Sequence, residues 1–344
     1  VPVKAVTMRA HGGPEVLKLE ELPDPKAGPG QVLVRVRAAA LNHLDVWVRR
    51  GWPGLTLEWP HVPGSDIAGV IEAVGPGVAG ISAGDEVILN PGVSCGRCEM
   101  CLSGLDNGCR RYAILGEHVS GGYAERLAVP AANVLGKPKN LSFDEAACLP
   151  LVFLTAWHAL VTRAGLRAGE TVLVQAAGSG VGSAAVQIAK LIGATVIATA
   201  GSDEKCRKAL ALGADHAVNY EAEDFLARAK ALTGKRGVDV VFEHVGKKTW
   251  EKSLLSLASG GRLVTVGATT GWDPPTDLRH VFYRQLSVLG STMGSKGELF
   301  QVLRFVEQGK LRPVLDRVLP LGEAARAQEL LSSRAQFGKI VLNP

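Results

Sequence analysis

Four of the six cysteines, Cys95, Cys98, Cys101 and Cys109, fall within fifteen positions. The spacing C-x2-C-x2-C-x7-C puts four soft ligands on one short loop, and Zn²⁺ accepts four thiolates in a tetrahedron. Such a site keeps no open coordination position, so it would brace the chain and leave the reaction to other groups. Four thiolates around the ion leave a charge of about −2, which the neighbouring Arg97, Arg110 and Arg111 could offset. An iron–sulfur cluster is the alternative, because C-x2-C-x2-C also opens the bacterial ferredoxin run. That run brings its fourth cysteine sooner and follows it with proline, whereas Cys109 precedes Arg110. Cys148 and Cys206 stand apart and read as structural.

The second chemical signature is Gln175-Ala176-Ala177-Gly178-Ser179-Gly180-Val181-Gly182. Glycines between a strand and a helix permit a tight turn and let the backbone approach a pyrophosphate at the positive helix N-terminus. The expected cofactor contacts are therefore Gly178, Ser179, Gly180, Val181 and Gly182, although the spacing is GxGxG and not the full GxGxxG. An NAD-selective site places a carboxylate at the end of the next strand to accept the ribose hydroxyls. Here that strand ends Thr199-Ala200-Gly201-Ser202, and Asp203 reads as a first-turn helix residue. A small uncharged pocket at Ser202, followed by Lys205 and Arg207, suits a 2′-phosphate. NADP(H) is favoured over NAD(H).

These groups need elements to hold them. Val32, Val34 and Val36 alternate with Arg35 and Arg37, the period of a half-buried strand. Further short runs at 67–74, 86–89 and 123–128, separated by Gly and Pro turns, predict a partly open antiparallel barrel. From about Leu151 the rhythm changes to alternating strands and helices, with strands at 171–175, 195–199, 217–219, 238–242, 262–266 and 285–290. That alternation predicts an α/β fold with a doubly wound parallel sheet. The tail beyond 290 loses the regularity and is expected to return to the first domain. The expected division is 1–150 with 291–344, carrying a cysteine lobe at 91–112, and 151–290.

At 344 residues two domains are expected, and 47% hydrophobic with 21% charged residues excludes intrinsic disorder. No apolar stretch approaches 18 residues and the first residues lack a signal-peptide core, so a cytoplasmic protein with no membrane partner is expected. The net charge of +5 is spread along the chain, which disfavours nucleic acid as a partner.

With both signatures in place the chain resembles the medium-chain dehydrogenase/reductase superfamily, the group of zinc alcohol dehydrogenases and quinone oxidoreductases. The resemblance rests on Ala40-Leu41-Asn42-His43-Leu44-Asp45, Pro63-Gly64-Ser65-Asp66-Ile67-Ala68-Gly69, Gly84-Asp85-Glu86-Val87, the cysteine lobe, the glycine loop with Gln187, and Gly338-Lys339-Ile340-Val341-Leu342. It implies a GroES-like catalytic domain built from both chain ends, a Rossmann dinucleotide domain, an active site in the cleft, and a homodimer or homotetramer. The departures matter more. Alcohol dehydrogenases of this group hold a catalytic zinc by a Cys, a His and a second Cys, and those positions fall here on Asn42, Ser65 and Leu151. The proton-relay Ser or Thr falls on Leu44. Nearby His43, His61 and Asp66 leave a rearranged second metal site open. Asn42 with Asp45 matches the zinc-independent quinone oxidoreductase branch, in which positions matching Lys205 and Tyr220 contact the NADP phosphate.

Without a Lewis acid, hydride transfer works best on acceptors already short of electrons. The expected activity is hydride transfer from NADPH to a small-molecule quinone or α,β-unsaturated ketone held near Asn42, Asp45 and Trp47. Asn42 would donate a hydrogen bond to developing enolate charge, and Asp45 would organise the loop. Trp52 and Trp59 would line the substrate or pack the loop. Two alternatives stand beside this reading: a zinc alcohol dehydrogenase, and a non-catalytic cofactor-binding protein with a structural or RNA-contact role.

Overall fold

The computed structural model describes residues 2–344. The chain divides into two compact units, one of the residues up to Leu151 together with Ser295–Pro344, the other of Val152–Gly294.

The second unit is built on a six-stranded parallel sheet in the order His216–Asn219, Thr195–Ala200, Thr171–Val174, Val238–Glu243, Leu257–Thr265, Ser287–Gly290. Strands buried on both faces need unbroken apolar runs, and Val172, Leu173, Val174, Val240, Val241 and Phe242 are all fully buried. Helix boundaries follow from their caps. Gly180–Ile192 begins at Ser179, whose Oγ accepts the Gly182 N–H, and stops at Gly193 in the left-handed conformation (φ 94°). Asp203–Ala211 and Phe225–Leu232 are capped in the same way by Ser202 and Asp224. The sheet order reverses direction between Thr171–Val174 and Val238–Glu243, the place where doubly wound sheets take ligands. One strand runs longer than its sequence suggests. The pairing expected from 262 already begins at Leu257, against Val238, and shortens the preceding helix to Trp250–Ser256.

The first unit carries a seven-stranded sheet ordered Leu315–Pro320, Lys339–Asn343, Gln31–Ala40, Asp66–Val74, Glu86–Leu89, Val134–Gly136, with Arg126–Pro130 also on Gln31–Ala40. The two outermost strands do not pair with each other, so the barrel stays open. The residues past 295 supply two of these strands, and Lys339–Asn343 lies inside the sheet, parallel to Leu315–Pro320 and antiparallel to Gln31–Ala40. Its core gathers Val34, Val36, Leu41, Ile67, Ile71, Tyr123, Ile340 and Leu342. The strand expected at 123–128 is Arg126–Pro130; Tyr123 is instead wholly buried and Ala124 makes a single bridge to Ala5. Among the described residues, no helix is long and apolar enough to cross a membrane.

Candidate functional site

The glycine loop leaves the strand Thr171–Val174 and turns through Ala176, which adopts φ 46°. The turn is held by a line of hydrogen bonds across three strand ends. The Ala176 N–H donates to Thr199 Oγ1 (2.9 Å), Thr199 to Gln175 Oε1 (2.8 Å), Gln175 Nε2 to Ser253 Oγ (3.1 Å), and Ser253 to Glu243 Oε2 (2.6 Å). Glu243 is wholly buried and also accepts the N–H groups of Val245 and Gly246 and the Thr249 hydroxyl. His244 Nε2 meets the Gln175 carbonyl at 2.8 Å and Ser179 Oγ at 3.4 Å. Burial lowers the pKa of this imidazole, so the donor facing the carbonyl is a neutral ring's N–H. Sequence reasoning placed Gln175 and Thr199 at the strand ends without giving them this role, and it passed over Glu243 and His244. Their signal was a polar pair, Glu243-His244, closing an apolar strand.

The loop is shaped for close approach. A Cβ on Gly182 would lie 2.4 Å from the Ala176 carbonyl oxygen and 2.9 Å from Ala177 Cα, so only glycine fits. At the end of the next strand, Tyr220 Oη packs so closely that a Cβ on Gly201 would sit 2.6 Å from it. Next to Gly201, Ser202 Oγ accepts the Lys205 backbone N–H (3.3 Å) as the cap of the following helix, while Asp203 Oδ1 is taken by Asn219 Nδ2 (2.8 Å). The close approach at Gly182 leaves the loop a backbone cradle of the kind a dinucleotide takes, and the carboxylate just past the strand end, Asp203, is hydrogen-bonded through one oxygen.

The four cysteines converge in the first unit, with every Sγ within 4.8 Å of the others. Cys95 and Cys101 lie 3.9 Å apart, Cys98 and Cys101 3.5 Å. A zinc tetrahedron with bonds of about 2.3 Å has edges of about 3.8 Å, so the set fits such an ion with little adjustment. Leu102 (76% exposed) and Leu105 (48%) bury little, so the lobe has scant core of its own. It is moored through Asp106, which accepts Lys296 N (2.8 Å) and pairs with Lys296 Nζ (3.2 Å).

Asn42 and Asp45 open the helix His43–Arg50, which the sequence did not announce. Asp45 Oδ2 reaches back to the Asn42 N–H (2.7 Å) and accepts the Tyr123 hydroxyl (2.8 Å); its Oδ1 is buried and unpartnered. The Asn42 side chain turns away to Asp66 and Lys339: its Nδ2 donates to Asp66 Oδ2 (2.9 Å) and its Oδ1 accepts from Lys339 Nζ (2.5 Å). Lys339 also pairs with Asp66 Oδ2 at 2.8 Å, and Asp66 Oδ1 accepts the Leu151 N–H at 2.7 Å. The register explains the meeting, since Ala40 faces Asp66 on one side and Val341 on the other.

The remaining candidates are spread out. Trp47 stacks edge-on to His43 (5.4 Å). Trp52 and Trp59 are 37% and 42% exposed, and Trp59 meets His11 instead. His61 is buried, with its Nε2 on the Gly116 carbonyl (3.0 Å). The residues at the catalytic-zinc positions do not suit that metal: Leu151 offers no ligand, Asn42 is engaged at both ends, and Ser65 brings a buried hydroxyl where the metal site has an imidazole. The four-cysteine set is the one candidate metal cluster among the described residues.

Burial pushes the Asp45 carboxyl up to about 6, against the pull of the Asn42 N–H, the Tyr123 hydroxyl and Lys339. Between about pH 4, where an unfolded aspartate ionises, and pH 6, the folded chain holds a proton that the unfolded chain has lost. This group's contribution to stability is therefore greatest at low pH and falls as pH rises through 6. Asp45→Asn removes the titration. Thermal melts from pH 4 to pH 7 should show wild type losing about 3 kcal/mol relative to the variant, and a constant difference would refute the raised carboxyl.

A glycine-cradled parallel sheet in one unit and a sheet with its own thiol lobe in the other are the parts of a dinucleotide-dependent dehydrogenase. Residues 28–139 match the family model for the alcohol dehydrogenase GroES-like domain, and residues 180–308 that for zinc-binding dehydrogenase. A quinone oxidoreductase of Rattus norvegicus is 34% identical over 99% of this chain and 97% of its own length. A crystal structure described as an NAD-dependent alcohol dehydrogenase is 57% identical, covers 99% of both chains and superposes with a TM-score of 0.96. The cobalt- and zinc-bound thermostable alcohol dehydrogenase of Pyrobaculum aerophilum is 37% identical over both whole chains, with a TM-score of 0.90. The chain belongs to the medium-chain dehydrogenase/reductase superfamily and is an NAD(P)-dependent oxidoreductase.

Proposed function

We propose that the chain reduces an activated carbonyl compound, a quinone or an α,β-unsaturated ketone, at the expense of NADPH. One observation carries the choice of acceptor: the positions where zinc alcohol dehydrogenases ligate a catalytic ion hold Asn42, with its amide engaged by Asp66 and Lys339, together with Ser65 and Leu151, a set without a thiolate or an imidazole. The bound nicotinamide supplies the hydride. The protein's part is to hold the dinucleotide on Ser179–Gly182, to receive the 2′-phosphate near Ser202, Lys205 and Tyr220, and to set Asn42 near the acceptor oxygen. Asp45 fixes the start of the Asn42 helix, and Trp47 and Trp52 are assigned to the acceptor pocket. The strand end supports NADPH over NADH, because Ala200 and Gly201 bring no carboxylate for the ribose hydroxyls and Asp203 has one oxygen on Asn219. Cys95, Cys98, Cys101 and Cys109 hold one structural zinc. The working protein is assigned as a cytoplasmic homodimer or homotetramer.

A second reading, a zinc alcohol dehydrogenase, draws on the complete thiol lobe and on the solved alcohol dehydrogenases that the chain resembles. Turnover of NADPH and NADH against quinones, enones, aldehydes and simple alcohols, with zinc counted on the same sample, separates the two. The proposal expects NADPH-driven reduction of quinones or enones with one zinc per chain. Two zincs with chelator-sensitive alcohol oxidation would replace it by the second reading.

A further inference from the structure

The cysteine lobe takes partners from the far end of the chain. Asp106 Oδ1 accepts the N–H of Lys296, the first residue of the helix Lys296–Glu307, and Oδ2 faces Lys296 Nζ at 3.2 Å. Held by its backbone and by this pair, the lysine also places Nζ 3.1 Å from Ser94 Oγ, 202 positions upstream. An ammonium carries donors only, so Ser94 Oγ accepts here. The one proton of the hydroxyl is left for another acceptor, and the Ser94 side chain hydrogen-bonds Cys101. The direction is therefore fixed from lysine to serine to sulfur. Arg97, Arg110 and Arg111, whose charges the sequence set against the thiolates, are exposed, and Arg97 and Arg111 meet sulfur through their backbone N–H groups.

Mooring the lobe asks only for the pair of Lys296 with Asp106. The contact with Ser94 adds nothing to that pair, but it aims a donor at a metal ligand. We propose that Ser94 and Lys296 are outer partners of the metal in this lobe: the ammonium commits the Ser94 hydroxyl to the Cys101 sulfur, and the two residues together set how tightly the ion is kept. Four thiolates leave a charge of about −2 around one zinc, and a hydrogen bond to sulfur draws off part of it. Outer partners of a metal orient its ligands, and losing one costs about 10- to 100-fold in affinity. The inference rests on the reading of the four cysteines as a zinc site, and it is independent of the acceptor that the chain reduces.

The test uses the full chain loaded with zinc, and a second sample carrying Co²⁺ in its place. Zinc is titrated against a chelating dye in wild type, Ser94→Ala, Lys296→Met and the double variant. Ser94→Ala leaves the Lys296–Asp106 pair intact, so it probes the hydroxyl without unmooring the lobe. Each single variant is expected to hold zinc about 10-fold more weakly. Because the lysine acts through the serine, the double variant should match the weaker of the two single ones. A double variant weakened by the product of the two factors would make Lys296 a mooring residue only and overturn the relay. Cobalt reads the sulfur itself. Its sulfur-to-metal charge-transfer band should move to longer wavelength in Ser94→Ala and in Lys296→Met, since a thiolate relieved of a hydrogen bond gives up an electron more easily. Arg110→Gln should leave both band and affinity as in wild type; an equal loss there would reduce the effect to surface charge and overturn the proposal. Wild-type affinity and bands in Ser94→Ala refute the proposal and leave the zinc site standing. A wild type that binds neither zinc nor cobalt refutes the zinc reading, and the proposal with it.

Discussion

Gly182→Ala is expected to weaken NADPH binding about 100-fold while leaving the rest of the chain folded. The added Cβ would stand 2.4 Å from the Ala176 oxygen, 2.8 Å from Ser179 Oγ and 2.9 Å from Ala177 Cα. Two of those three atoms are backbone, so no rotamer change relieves the clash and the loop itself must move. That movement pulls the Gly182 N–H off Ser179 Oγ, the cap of the helix Gly180–Ile192. It also displaces the amides meant for the pyrophosphate. Hydrogen bonds to a charged group are each worth about 1.5–3 kcal/mol. Loss of one or two amounts to about 3 kcal/mol, which is the stated factor of about 100 in Kd. NADPH fluorescence titration measures it, with a thermal melt as the check on folding. Binding as tight as wild type would mean that the dinucleotide does not lie on this loop.

The second large effect is expected at the lobe. Around Cys98 the chain makes a helix of only four residues, Glu99–Leu102, with none of them buried. Leucines that might have formed a core, Leu102 and Leu105, face solvent. The thiols are what this segment has in place of a core. Four of them within 4.8 Å cannot all ionise without a cation between them. Structural zinc is worth about 10–16 kcal/mol in small finger domains. Removing it with a chelator, or replacing Cys98 by serine, should unfold the lobe and lower the melting temperature by about 10 °C. Protease cleavage should move to residues 91–112. The Val152–Gly294 unit, whose sheet and loop use none of these residues, should still bind NADPH. Metal analysis should give one zinc per chain in the untreated protein and none in the variant. A zinc-free protein that melts and resists protease like the native one would refute the assignment, and a brown protein would restore the iron–sulfur alternative.

What the sequence makes legible is whatever repeats or clusters locally. The Val32, Val34, Val36 alternation, the apolar strand before the glycine loop and Gly193 at the helix end are short-range signals, and each marks an element close to where it lies. Pro150–Trp157 gives no such signal, because it is apolar all round and has no polar face to set a period. His43–Arg50 is a little over two turns, too short for a period to emerge, although Asp45 three residues after Asn42 is a helix-start pattern that could have revealed it. Tyr123 opens the run expected as a strand at 123–128, but it lies outside the strand Arg126–Pro130 and its hydroxyl is the partner of Asp45. Least legible is the ring of Lys339, Asp66 and Asn42. Lys339 sits in a motif that marks the family, but its partner Asp66 lies 273 positions upstream. No window of the sequence contains both charges, and only the sheet order brings them together.

That sheet order has a consequence for how the chain comes to be folded. Gln31–Ala40 is made early, yet Lys339–Asn343, which pairs with its last residues, follows only after the whole of Val152–Gly294. Long-range pairings of this kind are slow, and domains generally fold as units during synthesis. The dinucleotide unit can thus be complete while its companion sheet still waits with an open edge, the hazard that invites pairing with a neighbouring chain. A ribosome that stalls before residue 339 would release a product able to bind cofactor and prone to aggregate. The lysine arrives on the strand that covers the last residues of Gln31–Ala40, so the charge at the site and the partner of that strand end are delivered in one step.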